Sequence, residues 1–222
     1  MSDPLVSCIM PTWNRRTFIP AAIQCFLEQI YENLELVIVD DGNDKVADLV
    51  PADSRIRYIP LDRKLTTGEK RNYCCRVARG EIICHMDDDD WSAPGRISDQ
   101  VKRLQQTGKP ITGYGTLLFW DIVTREAKRY KPAMKSYICG TTFCYLRSFW
   151  QGHGFRDKQV ASDNQFIFPV MSQVAQSQET RFVVARIHHC HHTSPKTLIT
   201  EVVSRDLIPE GFWQNEALRL RS

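Results

Sequence analysis

The sequence predicts an α/β fold with a mainly parallel central sheet flanked by helices, followed by a more irregular second half. Three observations carry this. Short apolar runs alternate with helix-period segments over residues 5–84. Three polar clusters, Thr12-Trp13-Asn14, Asp40-Asp41 and Asp87-Asp88-Asp89-Asp90, each follow closely on one of those runs. Open parallel sheets collect ligand groups at the carboxyl ends of their strands, so the three clusters are expected together. Beyond residue 110 the regular alternation lapses.

Leu5-Val6-Ser7-Cys8-Ile9-Met10 reads as the first strand, with Pro11-Thr12-Trp13-Asn14 as a loop at its end. Thr17 is placed to cap a helix reaching about Ile30, with Phe18, Ala21, Ala22, Cys25, Phe26 and Ile30 at helical spacing. Leu34-Glu35-Leu36-Val37-Ile38-Val39 is the second strand, ended by the turn signal Asp40-Asp41-Gly42. A weak helix follows over residues 44–50, then a third strand, Ile56-Arg57-Tyr58-Ile59. Thr66 to Asn72 opens a helix that reaches about Ala78 and is stopped by Gly80. Glu81-Ile82-Ile83-Cys84 is the fourth strand and runs into the acidic stretch.

Pro94 can start a helix to about Gln106, broken by Gly108-Lys109-Pro110. Residues 111–120 and 129–131 read as strands about a hairpin, and residues 137–146 as an apolar run interrupted by Gly140. Ser162 is placed to cap a helix through about Val174. Residues 181–188 read as a late strand and residues 193–203 as helical, and the tail has no clear pattern. There are no internal repeats or low-complexity segments.

At 222 residues, one domain with one substantial core is the expectation. A net charge of +3 is too small to argue for nucleic acid as the partner. No apolar run approaches the roughly 20 residues that cross a bilayer. Met1-Ser2-Asp3-Pro4 does not resemble a signal peptide. A cytoplasmic protein is expected, with any membrane contact peripheral. The eight cysteines have no CxxC and no framework-like spacing, so they read as reduced, mostly buried thiols.

Four successive carboxylates repel one another unless a cation sits among them. In extended geometry Asp87 and Asp89 would share one face and Asp88 and Asp90 the other. Two carboxylates at a strand mouth suit a hard divalent cation, Mg²⁺ or Mn²⁺, with positions left for phosphate oxygens. The run also reads as an acidic loop or a helix N-terminus, where Asp is common.

The motifs, taken in order, resemble those of family 2 glycosyltransferases with the GT-A fold. The matching stretches are residues 6–15, 35–42, 68–72, 78–83 and 86–91 with Pro94. The resemblance implies one GT-A domain over 1–222, with a nucleotide-sugar-binding half (1–92) and an acceptor-side half (93–222). It implies a nucleotide-sugar donor, most often a UDP-sugar, and transfer with inversion. By the same resemblance Pro11, Thr12, Trp13, Asn14, Asp41, Arg71, Asp87 and Asp88 face the nucleotide. Trp13 would stack on the base and Asp41 would accept a hydrogen bond from uracil. Asp89, with Asp87, would meet Mn²⁺ or Mg²⁺. Asp163 matches the general base, with Asp157 as the fallback; Ser162 stands where the family often has Glu. The acceptor is a glycan, a lipid-linked sugar, a protein or a modified nucleic acid.

Two features stand outside that pattern. His188-His189-Cys190-His191-His192 offers five potential zinc ligands in a row, although neighbours in an extended chain point apart. Late histidines in this fold also approach the metal or the diphosphate, and His191 or His192 is placed there, His191 as the metal ligand; an exposed polar strand end is the plain alternative. Lys128, Arg129, Lys131 and Lys135 form a basic stretch that could touch phosphates or be a solvated face. A nucleotide-binding module that has lost the base, and a zinc-binding interaction protein, are the competing functions.

Overall fold

The computed structural model describes residues 3–188, 199 and 201–221. Its elements in order are β1 (Val6–Thr12), α1 (Ile19–Leu27), β2 (Leu34–Asp40), β3 (Ile56–Pro60), α2 (Thr67–Val77), β4 (Ile82–His85), β5 (Trp91–Ser92) and α3 (Arg96–Thr107). There follow β6 (Ile111–Tyr114), β7 (Leu117–Asp121), β8 (Glu126–Tyr130), β9 (Cys144–Leu146), α4 (Arg147–Gly152) and α5 (Ser162–Ile167). β10 (Val174–Ser177), β11 (Val183–Ile187), β12 (Glu201–Val203) and α6 (Glu210–Arg219) complete the fold.

The large sheet has the order β10-β6-β9-β4-β1-β2-β3. β4, β1, β2 and β3 are parallel neighbours, and β9 is the one antiparallel insertion. All seven residues of β2 are buried, because helices cover both faces. Strand alternation divides the core in two. Cys8, Met10, Leu36 and Ile38 pack on α1 and α3; Ile9, Val37, Val39 and Ile83 pack on α2 and α5. A second sheet, β12-β8-β7-β11-β5, is mostly antiparallel and carries its own aromatic core around Trp91, Trp120 and Phe212.

Several expectations need correcting. Pro11 and Thr12 belong to β1 rather than to a loop. Ile9 C=O accepts from Met86 N–H (3.0 Å), and Pro11 faces the same side two residues on, past the end of β4. The missing proline N–H therefore costs no ladder bond. Thr17 does not cap α1; Phe18 holds that position without a side-chain bond, and Pro20 starts the helix. Ser162 is the first residue of α5, preceded by left-handed Ala161 (φ 61°), and α5 stops at Ile167 before a 3-10 segment rather than reaching Val174. Within the segment read as helical over 193–203, Glu201–Val203 is instead strand β12, paired antiparallel with β8. The tail, without pattern in the sequence, holds α6.

The helix after β3 is as expected, and its start has a local cause. Thr66 Oγ1 accepts from Glu69 N–H (3.2 Å), and Glu69 Oε2 accepts from Thr66 N–H (3.1 Å). Thr66 Oγ1 also donates to Asp157 Oδ1 (2.6 Å), tying the helix to the second half of the chain. Thr66→Ala is expected to lower stability by about 1–2 kcal/mol in urea unfolding; an unchanged midpoint would refute the cap. The seven described cysteines are buried. Burial pushes the Cys25 thiol up to about 11 and Cys75 to about 12.

Candidate active site

A cleft of about 500 Å³ opens at the carboxyl ends of β1 and β4, bounded by the N-terminal part of α2 and the start of α5. Pro11, Thr12, Trp13, Arg71, Asp87, Asp88, Asp89 and Asp163 all line it. The convergence expected from strand order is therefore realised for the first and last polar clusters. Asn14 and Asp41 do not line it. Asn14, at φ 51°, accepts from the amides of Asn43 (2.8 Å) and Asp44 (3.2 Å). Asp41 accepts from Leu65 N–H (2.7 Å) and from Lys70, whose ammonium also donates to Thr12 C=O (2.9 Å). Both residues hold the loops that shape the cleft. Asp40 is a turn residue, accepting from Gly42 N–H (2.8 Å), Val46 N–H (3.1 Å) and Tyr58 OH (2.7 Å).

Residues 87–90 form a turn, not an extension of β4. The predicted alternation of carboxylates over two faces does not hold, because β4 ends at His85 and Asp90 N–H turns back to Asp87 C=O (3.4 Å). Asp88, Asp89 and Asp90 are buried all the same. Cations and donors from three directions offset their repulsion. Arg15 Nη1 donates to Asp88 Oδ1 (2.8 Å) and to Asp89 Oδ2. His188 Nε2 lies 3.0 Å from Asp89 Oδ2. Arg186 donates its backbone N–H to Asp90 Oδ1 (3.0 Å) and its Nη1 to the Asp89 carbonyl (3.0 Å). Burial pushes the Asp88 carboxyl up to about 6, with Asp89 and Asp87 adding to the rise and Arg15 opposing it. Among the described residues Asp87 Oδ1 is buried without a hydrogen-bond partner.

On one side of the cleft, Lys64 Nζ sits 3.4 Å from the centroid of the Trp13 ring, a cation–π contact at the cleft wall. Opposite, Arg71 Nη1 pairs with Asp163 Oδ1 and donates to Ser162 Oγ (3.1 Å), while Nη2 is 3.9 Å from Asp87 Oδ2. One buried guanidinium thus spans the acidic turn and Asp163. Gly140 lies against the Asp163 carboxylate, and a Cβ there would collide with it. Asp157 is engaged at the Thr66 cap.

Trp91 is core, set edge-on to Phe212. His85 is buried, bonded to Gly140 C=O (2.9 Å) and Tyr145 OH (3.2 Å), and burial holds it well below the usual imidazole range, hence neutral. In the basic stretch, Lys128 pairs with Asp121 (2.9 Å) and Arg129 with Glu201. His191 and the rest of the histidine cluster after His188 lie outside the described residues. Among the described residues no three His, Cys, Asp or Glu side chains converge as a ready-made metal cage.

Arg15 and Arg186 are site residues that sequence reasoning did not single out, and His188 entered only as one member of the histidine cluster. Arg15 had a signal, since it follows Trp13-Asn14 at a strand end and four carboxylates need a cation. His188 had one too, as the last residue of a strand-like run. Arg186 had none, because its partners come from α6.

A mixed sheet with polar groups gathered at its carboxyl edge and an acidic turn beside a cleft of about 500 Å³ is the layout of an α/β ligand-binding domain. Residues 7–170 match the sequence profile described as Glycosyl transferase family 2. The chain is 39% identical over 110 residues to WcaA of Escherichia coli K12, named as a colanic acid biosynthesis glycosyl transferase; the match covers 47% of this chain and 39% of WcaA. It is 33% identical over 107 residues to the Escherichia coli UDP-Glc:alpha-D-GlcNAc-diphosphoundecaprenol beta-1,3-glucosyltransferase WfgD, covering 47% of this chain and 42% of WfgD. The fold superposes on S. aureus TarS 1-349 in complex with UDP-GlcNAc with a TM-score of 0.72 at 18% identity, over 97% of this chain and 65% of TarS 1-349. The chain belongs to glycosyl transferase family 2 and has the GT-A fold. The matched segments span about two fifths of these two curated relatives.

Proposed function

We propose that this chain is a metal-dependent, inverting glycosyltransferase that moves a sugar from a UDP-sugar to an acceptor hydroxyl. The observation that carries the reading is that Asp163 and the acidic turn face one cleft and are joined by Arg71. UDP as the nucleotide draws support from the UDP-Glc in the name of WfgD and the UDP-GlcNAc bound to TarS. Trp13 offers a ring face for the base, and Arg71 a positive charge for the diphosphate.

The donor set suits Mg²⁺ or Mn²⁺. Its atoms are hard carboxylate oxygens, and Asp87 Oδ1 is a buried acceptor without a partner. Magnesium is ordinarily held by one or two carboxylates plus substrate phosphates, so a complete protein cage is not required. Asp89 and Asp87 would hold the ion, and His188 is the described histidine beside them. When bound, the cation stabilises the charge that builds on the departing diphosphate.

Asp163 then accepts the proton of the acceptor hydroxyl as that oxygen bonds to the anomeric carbon and the bond to UDP breaks. About a third of its side chain is exposed to the cleft. Release from Arg71 frees the oxygen that takes the proton. A calorimetric titration of UDP with Mn²⁺, repeated with EDTA, tests the donor and metal assignments together. Binding only with Mn²⁺ is expected. Equal binding in EDTA removes the metal from the reading, and silence toward UDP, GDP, CDP and dTDP removes the donor site.

A further inference from the structure

We infer that α6 is part of the donor site: Glu216, through Arg186, is a positioning residue for the acidic turn and sets its affinity for a divalent cation. The inference rests on the cation reading above and assigns a role to an element far from it in sequence. Arg186 is one of the largest fully enclosed side chains, 2% exposed. Every arm of it is committed. Nε donates to Glu216 Oε2 (2.7 Å), Nη2 to Asn215 Oδ1 (2.9 Å) and Nη1 to the Asp89 carbonyl (3.0 Å). Its guanidinium lies over the Phe212 ring, 4.9 Å from the centroid. Three residues of α6 therefore grip one arginine, and that arginine holds the backbone of the residue placed on the metal. Asn215 in turn anchors α6 by donating to Ala21 C=O (2.8 Å) on α1.

Charge makes the arrangement more than a strut. A buried guanidinium directly beneath the acidic turn would repel a cation held by that turn. Glu216, which also accepts from Arg219 Nε (3.0 Å), offsets that charge at contact distance in surroundings that limit solvent screening. Without Glu216 the same arginine stays buried, keeps its charge and becomes free to shift toward Asp89 or Asp90. Either change lowers the negative potential available to a metal ion. Outer partners that orient metal-binding carboxylates typically alter affinity by about 10–100-fold when removed.

The test is calorimetry of UDP with Mn²⁺ and with EDTA on the full chain, wild type beside Glu216→Gln, Arg186→Lys and Trp213→Leu. Trp213 packs edge-on against Trp120 and under Arg205, so its loss loosens the same helix and leaves Glu216 and Arg186 intact. Glu216→Gln is expected to weaken Mn²⁺-dependent UDP binding by about 10–100-fold, with binding in EDTA unchanged and Trp213→Leu like wild type. Arg186→Lys keeps the charge but loses the planar fork, and the same loss is expected. If Glu216→Gln does not fold, this variant decides. Wild-type affinity in Glu216→Gln or, failing that, in Arg186→Lys overturns the proposal, as does an equal loss in Trp213→Leu. A wild type without cation-dependent binding overturns the metal reading and this proposal with it, a result distinct from a failure confined to the variants.

Discussion

Asp163→Asn binds UDP as the wild type does and loses transfer, by about 10²–10⁴-fold in kcat. The amide keeps the size of the side chain and its contacts with Arg71 and Ser162, but it cannot take a proton from an acceptor hydroxyl. The carboxylate is well placed for that task. It stands at the first turn of α5, which favours a negative charge. Its back rests on Gly140, where no side chain fits between the chain and the carboxylate. A structural role alone would give a different outcome. Breaking the pair with Arg71 would then lower stability and leave kcat in proportion to folded protein. Transfer assays with a panel of UDP-sugars and acceptors, normalised to the folded fraction, separate the two. Undiminished kcat in folded Asp163→Asn would sink the assignment, and Asp157, tied to the Thr66 cap, would not replace it without opening that contact.

The second large effect is expected at Asp89. Asp89→Asn removes the negative charge that Arg15 and His188 share. Mn²⁺-dependent UDP affinity should fall by about 100-fold, more than for any outer partner of the same turn. In EDTA neither protein should bind, so the loss is read in the Mn²⁺ titration, where the wall formed by Trp13 and Lys64 is the same in both. The turn itself should survive, since the Asp89 carbonyl still accepts from Arg186 and Asp90 still accepts from the Arg186 amide. An Asp89→Asn protein with the cation dependence of the wild type would move the metal to Asp87 and Asp88.

Much of the first half was legible in the chain because its causes are local. The apolar runs of β1, β2 and β4 read as buried strands because parallel strands are covered on both faces. Thr66 and Glu69 announce the start of α2 because a capping box closes within four residues. Asp40 announces a turn because its carboxylate reaches the amide two residues on. The errors arose where a local pattern met a tertiary competitor. The hydroxyl of Ser162 reads as a cap, but Arg71 claims it. Glu201–Val203 sits in a stretch that reads as helical, but the free edge of β8 takes it as a strand.

The sequence alone determined the central sheet and the site's place at the strand ends, with Trp13, Asp87, Asp88 and Asp89 at its mouth, while Arg71 and Asp163 were reached only through the family resemblance. It could do so because strand direction and side-chain chemistry are written in consecutive residues. The tertiary structure alone decided that the acidic run is a turn and that Arg15, His188 and Arg186 hold it. It alone showed α6 reaching the same turn through Glu216. Those contacts join residues 30 to 99 positions apart, and a buried charge takes whatever partner the register of two sheets brings to it. No local pattern encodes that register; it emerges only when both cores have closed.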